Sequence, residues 1–149
     1  MKKLLKKLDS LPRETQKRIE RVIAEIKKKI ENLRYTTICD YFVSNRECLR
    51  HIEKRLKLGH ISSIGEYVDK IKNSVNKPEE IIWGIYLENL KKKYNKIDRL
   101  YFYREDWVTI LLIDFKRGDW KIVTAFALYK KFYEEIILNK NFEQLIKIK

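Results

Sequence analysis

The sequence predicts an α+β fold in which N-terminal helices precede a mainly antiparallel sheet of about four strands, with a C-terminal helix after the sheet. Apolar residues recur at spacings of three and four in the first half of the chain, as in amphipathic helices. After Pro78, runs of β-branched and aromatic residues replace that pattern. The 149 residues are enough for one domain with a core and few for two. We therefore expect a single domain over residues 1–149.

The first element is a basic amphipathic helical arm over residues 1–34. Between Ser10 and Leu33 the apolar positions follow helical spacing, while Lys and Arg fill the opposite face. The arm holds twelve Lys and Arg against five Asp and Glu. Such a face either lies along a phosphate backbone or is simply solvated, and the apolar stripe could dock on a partner or a second copy. The α+β core is expected to follow over residues 35–149.

Two capping boxes begin the next helices. Ser44 with Glu47 predicts a helix that runs to about Lys57, and Ser63 with Glu66 predicts another that ends at "NKP". The predicted buried stripe of the first of these helices consists of four apolar residues: Cys48, Leu49, Ile52 and Leu56.

Four segments read as strands: "EIIWGIY", "RLYFYR", "WVTILLIDF" and "WKIVTAFA". The turn "KRGD" between the last two predicts an antiparallel hairpin. In the last strand, a period of two places four residues on one face: Trp120, Ile122, Thr124 and Phe126. A final helix is predicted over about Leu128 to Leu138, and the tail "NFEQLIKIK" is expected to dock or to pair at a sheet edge.

The composition favours a polyanionic partner. A formal net charge of +13, from 34 Lys and Arg against 21 Asp and Glu, attracts nucleic acid, although a basic surface without a ligand is the alternative. Cys39 and Cys48 lack CxxC spacing and are expected to be reduced thiols of a cytoplasmic protein. The N-terminus has no apolar signal segment and no apolar run is long enough to cross a bilayer, so we expect no export and no membrane partner.

The sequence lacks the motifs of several enzyme classes. There is no GxGxxG, P-loop, HExxH or GxSxG motif, and no Asp or Glu cluster suited to two-metal catalysis. We therefore expect no metal and no cofactor. Two histidines and many cations suit a reaction that needs no metal, the cleavage of RNA by its own 2′-hydroxyl, in which His moves protons and Lys or Arg holds the phosphate charge.

The candidate residues also have structural explanations. His51 lies at the flank of its helix's apolar stripe, a position that suits a groove and a surface histidine alike. His60 follows Gly59 at the end of the same helix, where the helix dipole favours histidine. Thr124 taken alone is typical of strand packing.

The order of three motifs carries a family resemblance. "LRHIEKR", then "EYVDKIKNSVNKPEEI", then "GDWKIVTAF" resembles the barnase, EndoU, colicin and RelE superfamily (BECR fold) of small metal-independent ribonucleases, in particular its phage-borne and toxin branches. The resemblance spans about residues 49–127. It implies that His51 is the catalytic acid or base and that Thr124 contacts the scissile phosphate.

The resemblance does not identify which Lys or Arg completes the site. Arg104 is the catalytic candidate, and four further cations are candidates for nucleic-acid binding: Arg50, Lys116, Arg117 and Lys121. Related sequences often carry a second histidine soon after the first, where this chain offers the more distant His60. They also often carry a tyrosine where this chain has Phe126, which can still stack on a base.

The resulting expectation is a toxin-like endoribonuclease that acts on RNA without a metal, with a cognate acidic inhibitor protein as the partner expected of a toxin. The alternative is a non-catalytic RNA-binding or protein-interaction module of the same fold.

Overall fold

A computed structural model describes residues 5–85, 97–114, 119–128, 142 and 144–149. Within them lie three α-helices, which are α1 (Arg13–Glu31), α2 (Asn45–Lys57) and α3 (Ile64–Asn76). The strands are β1 (Leu5–Lys7), β2 (Glu80–Ile85), β3 (Ile97–Arg104), β4 (Trp107–Asp114), β5 (Asp119–Ala127) and β6 (Gln144–Lys147). Short 3₁₀ helices cover Leu8–Ser10 and Ile38–Tyr41.

The strands form one six-stranded mixed sheet in the order β1-β6-β2-β3-β4-β5. All neighbouring strands are antiparallel except β1 and β6, which run parallel. The predicted sheet of about four mainly antiparallel strands is therefore wrong. The four predicted segments coincide with β2 to β5, whereas β1 and β6 have three and four residues, too few to show a period-two pattern.

The C-terminal tail lies inside the sheet. β6 pairs with β2 on one side and with β1 on the other, so it is not an edge strand. The predicted C-terminal helix over about residues 128–138 falls almost entirely on residues outside the described part of the chain. The turn "KRGD" lies outside it too, except for Asp119, while the antiparallel pairing of β4 with β5 is confirmed.

Helix α1 packs against its own domain. Its apolar stripe is buried in the main core, together with α3 and one face of the sheet, through four isoleucines: Ile19, Ile23, Ile26 and Ile30. The apolar stripe of α1 is therefore covered by other parts of this chain and is not available to a partner. The opposite face of the sheet carries a smaller cluster around Phe142, whose ring occupies the space that a Cβ at Gly84 would need.

Helices α2 and α3 begin as predicted, because the hydroxyls of Ser44 and Ser63 accept the amides of Glu47 and Glu66. The predicted stripe of α2 is wrong in part. Cys48, Ile52 and Arg55 are buried, whereas 56% of Leu49 and 40% of Leu56 are exposed. Helix α2 packs against β5 with Arg55 turned inward, where Arg55 Nε donates to the Ala125 carbonyl.

The two cysteines form a disulfide. Cys39 lies in the Ile38–Tyr41 3₁₀ helix and Cys48 in the first turn of α2, with Cα atoms 5.5 Å apart. The prediction of reduced thiols is wrong. It relied on the absence of CxxC spacing, whereas folding brings the two residues close enough to form a disulfide. The disulfide closes a short loop and so lowers the entropy of the unfolded chain, which stabilises the fold by about 2–3 kcal/mol.

In the described part of the chain, no helix combines the length and the apolar character that a membrane span requires.

Candidate functional site

The candidate site lies at β5, one of the two edge strands of the sheet. A β-bulge interrupts the pairing of β5 with β4, since Ile110 is paired with Thr124 and Leu111 with Ile122, which leaves Val123 unpaired. The predicted shared face for Trp120, Ile122, Thr124 and Phe126 is therefore wrong. Trp120 and Ile122 belong to the helix-covered core, while Phe126 packs with Val123 against the opposite cluster. The bulge changes the direction of the side chains that follow it.

The segment before α2 attaches the helix to this edge. Phe42 forms an isolated bridge with Ile122, and the Val43 amide donates to the Ile122 carbonyl at 3.1 Å. The disulfide joins the same segment to α2 through Cys48. Because residues three and four positions apart lie on one side of a helix, His51 and Arg55 follow Cys48 along the side that faces β5.

Three side chains meet at the edge, and we refer to His51, Arg55 and Thr124 as the β5-edge cluster. His51 Nδ1 lies 3.4 Å from Thr124 Oγ1. Arg55 Nη2 donates to the same Thr124 oxygen at 3.4 Å, and Arg55 Nε donates to the Ala125 carbonyl at 3.1 Å. The cluster thus joins an imidazole, a hydroxyl and a guanidinium.

Arg55 is held firmly and is only 7% exposed. Its guanidinium lies 5.3 Å from the centre of the Phe126 ring, and the Tyr67 hydroxyl donates to the same Ala125 carbonyl at 3.3 Å. Burial lowers the pKa of Arg55, and burial also raises the pKa of Tyr67, against the opposing effects of Arg55 and of the hydrogen bond to Ala125. Among the described residues, no carboxylate lies within ion-pairing distance of Arg55. A buried cation without a counterion attracts an anion.

The surroundings of His51 favour the neutral form of its ring. Its side chain is 24% exposed, and desolvation, followed by the positive charge of Arg55, lowers its pKa below 6.5, against the opposing effect of Glu47. Glu47 Oε2 lies 3.8 Å from His51 Nε2. Thr124 Oγ1 accepts from Arg55, and when its own proton points to His51 Nδ1, the neutral ring carries its proton on Nε2, beside Glu47. In this tautomer, Nδ1 is the ring atom that can accept a proton.

The other predicted cations lie in different surroundings. Arg104 Nη1 donates to the Lys77 carbonyl at 2.8 Å, at the end of α3, and Nη2 pairs with Glu105 at 3.3 Å. Lys121 donates to the Asp40 carbonyl at 3.1 Å. Neither residue shares a hydrogen bond with the β5-edge cluster. Arg50 is exposed and donates to Glu47 Oε1 at 3.0 Å, so it adjoins the cluster through Glu47. Lys116 and Arg117 lie outside the described residues.

His60 and Phe126 both adjoin Arg55. The His60 amide donates to the Arg55 carbonyl at 3.0 Å, and desolvation together with the charge of Arg55 lowers the pKa of the imidazole. His60 is therefore an electrostatic neighbour of the same cation as His51. The Phe126 ring is covered by the Arg55 guanidinium on one face, which leaves that face closed to a nucleobase.

Sequence reasoning missed Arg55 and Glu47. Arg55 ends the motif "LRHIEKR" and Glu47 lies two residues before its start, so each is four residues from His51. That spacing places them on the histidine's side of the helix and was a usable signal. Arg55 was missed because the apolar stripe was centred on Leu49 and Leu56, which left Arg55 among the surface cations.

Among the described residues, no group of three or more His, Cys, Asp or Glu side chains is arranged to hold a metal ion.

Comparison with known proteins places most of the chain in one family. The family described as "Uncharacterised protein aq_aa01" matches residues 32–147, and the chain belongs to this family. The match begins at the end of α1 and includes the whole β5-edge cluster. No curated protein and no solved structure matches the chain.

Proposed function

We propose that this protein is a metal-independent, toxin-like endoribonuclease in which the β5-edge cluster cleaves RNA by directing a 2′-hydroxyl onto the adjacent phosphate. One observation carries the proposal: His51 and Arg55 converge on Thr124 within 3.4 Å, and no carboxylate among the described residues neutralises Arg55. A proton acceptor beside an uncompensated cation is the arrangement that this reaction requires.

In this proposal His51 is the general base. Its lowered pKa keeps the ring neutral at pH 7, so that it can remove the proton of the 2′-hydroxyl. Glu47 faces the opposite ring nitrogen and stabilises the imidazolium that forms. Proton transfer of this kind contributes about 100-fold or more to the rate.

Arg55 and Thr124 bind the phosphate. The hydroxyl of Thr124 donates to a non-bridging oxygen when RNA displaces its contact with His51, and the guanidinium offsets the charge that grows on the pentacoordinate phosphorus. The 2′-oxygen forms its bond to phosphorus as the bond to the 5′-oxygen breaks. The 5′-oxygen takes a proton from solvent or from His60, and the upstream product ends in a 2′,3′-cyclic phosphate.

The net charge of +13 supports RNA as the partner. Since the substrate is cytoplasmic in this proposal, we assign the site of action to the cytoplasm. Arg50 and Lys121 are proposed to contact the backbone beyond the scissile phosphate, and an acidic inhibitor protein is the proposed protein partner.

The test is RNA cleavage by purified protein in excess EDTA. We expect the wild type to cut RNA and His51→Gln to lose about 100-fold or more of the rate. Arg55→Lys, which keeps the charge and loses the two-point hydrogen bonding, is expected to lose about tenfold. Lys57→Gln removes a charge from the exposed end of the same helix and is the matched control, with nearly unchanged cleavage. Absence of cleavage by the wild type, or undiminished cleavage by His51→Gln, contradicts the proposal.

The second candidate function is RNA binding without cleavage, favoured by the hydrogen bonds that already hold Arg55 to Thr124 and Ala125. Its signature is salt-dependent binding with RNA recovered intact, and the logarithm of the affinity then falls linearly with the logarithm of salt concentration.

A further inference from the structure

We propose that the Cys39–Cys48 disulfide is a reversible thiol–disulfide modification site that controls the assembly of the β5-edge cluster. Oxidation holds the cluster together and promotes RNA cleavage, while reduction by a cellular dithiol releases it and suppresses cleavage. The effect on RNA rests on the function proposed above. The effect on structure does not, and it is measured without RNA.

The disulfide is connected to the base on one side through α2. Cys48 is fully buried and lies one helical turn before His51, so its position fixes the start of α2 and the direction of the imidazole.

The disulfide is connected to the same histidine on the other side through the preceding segment. Cys39 lies three residues before Phe42, whose ring centre is 6.2 Å from that of His51 and 6.3 Å from that of Tyr67. Phe42 and Val43 also attach this segment to β5 at Ile122. A single covalent bond therefore joins the two structures between which His51 is held.

Besides the disulfide, residues 34–43 are held mainly by two buried side chains, Ile38 and Phe42, which belong to the main core. The segment contains a four-residue 3₁₀ helix, a length that has little stability of its own. Its remaining links to β5 are the hydrogen bond from Lys121 to Asp40 and the stacking of Tyr41 on Trp120, with ring centres 5.4 Å apart. Because the segment has so little regular secondary structure, it opens more readily than the sheet to which it is attached.

The exchange chemistry is accessible at Cys39. Cys39 is only partly buried, whereas Cys48 is fully buried. A thiolate of the dithiol attacks the Cys39 sulfur, the sulfur–sulfur bond breaks, and Cys48 leaves as a thiolate that takes a proton. The second thiol of the reductant then displaces Cys39, so that two electrons and two protons pass from the dithiol to the protein. Disulfides of cytoplasmic proteins commonly have such a sensing role.

The structural test is amide hydrogen exchange measured by NMR on the full chain, oxidised, reduced with dithiothreitol, and reoxidised. We expect exchange of the Val43 amide to accelerate about tenfold or more on reduction and to recover on reoxidation. The amide of Leu100, in the central strand β3, is the internal control and should not change. In the double variant Cys39→Ser/Cys48→Ser, the Val43 amide should exchange as fast as in the reduced form, and dithiothreitol should not change its rate.

RNA cleavage in the same three samples separates the two proposals. Slower cleavage on reduction, restored by reoxidation, supports the inference. Unchanged exchange at Val43 overturns it, and so does lost protection at Leu100, because the disulfide would then hold the whole fold and not the site.

Equal cleavage in both redox states shows that the disulfide does not control the activity of the site, and leaves the ribonuclease proposal standing. Intact RNA in every sample, with a response at Val43, overturns the ribonuclease proposal and supports the structural part.

Discussion

Two threonines on neighbouring strands occupy opposite kinds of environment. Thr109 of β4 is fully buried, and its hydroxyl lies 2.7 Å from that of Ser74, which itself donates to the Ile71 carbonyl. Thr124 of β5 is half-buried and meets two ionisable groups, His51 and Arg55. The first hydroxyl closes a neutral network in the core, while the second lies between a proton acceptor and a cation.

The difference follows from position in the sheet. Strand β4 has a neighbour on each side and is covered by α3, so a polar side chain there must find a neutral partner within the core. Strand β5 has only one neighbouring strand, and a bulge redirects its side chains. At this edge β5 accepts a hydrogen bond from Arg55 of α2, and charged groups therefore lie beside a strand hydroxyl.

The largest expected contrast is between Thr124→Val and Thr109→Val. We expect Thr124→Val to lower RNA cleavage about tenfold to 100-fold, because a phosphate contact is lost, with little effect on the free energy of unfolding. Thr109→Val should leave cleavage unchanged and lower the free energy of unfolding by about 1–2 kcal/mol, since it removes a buried hydrogen bond. Cleavage assays and urea unfolding of both variants check this. If folded Thr109→Val also cleaved RNA more slowly, the two threonines would not differ in role and the comparison would be wrong.

A second contrast concerns a titratable group inside the sheet. Burial raises the pKa of Asp98 to about 6, although its carboxylate accepts from Trp83 Nε1 at 2.9 Å. The unfolded chain loses this proton at lower pH, so the fold loses stability as the pH rises from about 4 to 6. We expect Asp98→Asn, which keeps an acceptor for Trp83, to stabilise the protein by about 1–3 kcal/mol at pH 8 and much less at pH 4.

Urea unfolding at the two pH values measures this effect, and Asp69→Asn, at an exposed position of α3, controls for the loss of one negative charge. An equal change at both pH values would show that ionisation of Asp98 has no part in the stability of the core.

The smallest expected effect concerns Glu47. Its charge raises the pKa of His51 against the larger lowering by desolvation and Arg55, so Glu47→Gln should lower that pKa further. In the proposed mechanism the neutral ring is the base, so the acid limb of the cleavage profile should move to lower pH as well. NMR titration of the His51 ring protons checks the shift directly, with Glu53→Gln on the same helix as the control. A shift to higher pH would assign Glu47 a different role.

The sequence led to part of this site. The motif containing His51 and the strand containing Thr124 stand out by their order in the chain, but their distance of 3.4 Å depends on the bulge in β5, which no local pattern reveals. Arg55 was missed because helical periodicity identifies apolar positions, whereas the burial of Arg55 follows from its contacts with β5, an element far along the chain.

The same limit applies to the fold. Helices α2 and α3 were located by their capping serines, and β2 to β5 by β-branched and aromatic runs, because those signals are local. Strand β1 and the Cys39–Cys48 bond were not found, since each depends on a partner far along the chain or on the path of an irregular segment.

The central claim is that His51, Arg55 and Thr124 promote attack by a 2′-hydroxyl, and the most direct measurement compares RNA with DNA of identical sequence in excess EDTA. We predict that the wild type cuts only the RNA, that the upstream fragments carry 2′,3′-cyclic phosphate ends, and that His51→Gln loses about 100-fold or more of this activity. Cleavage of the DNA at a comparable rate would contradict the account, because the attacking oxygen would then not be the 2′-hydroxyl.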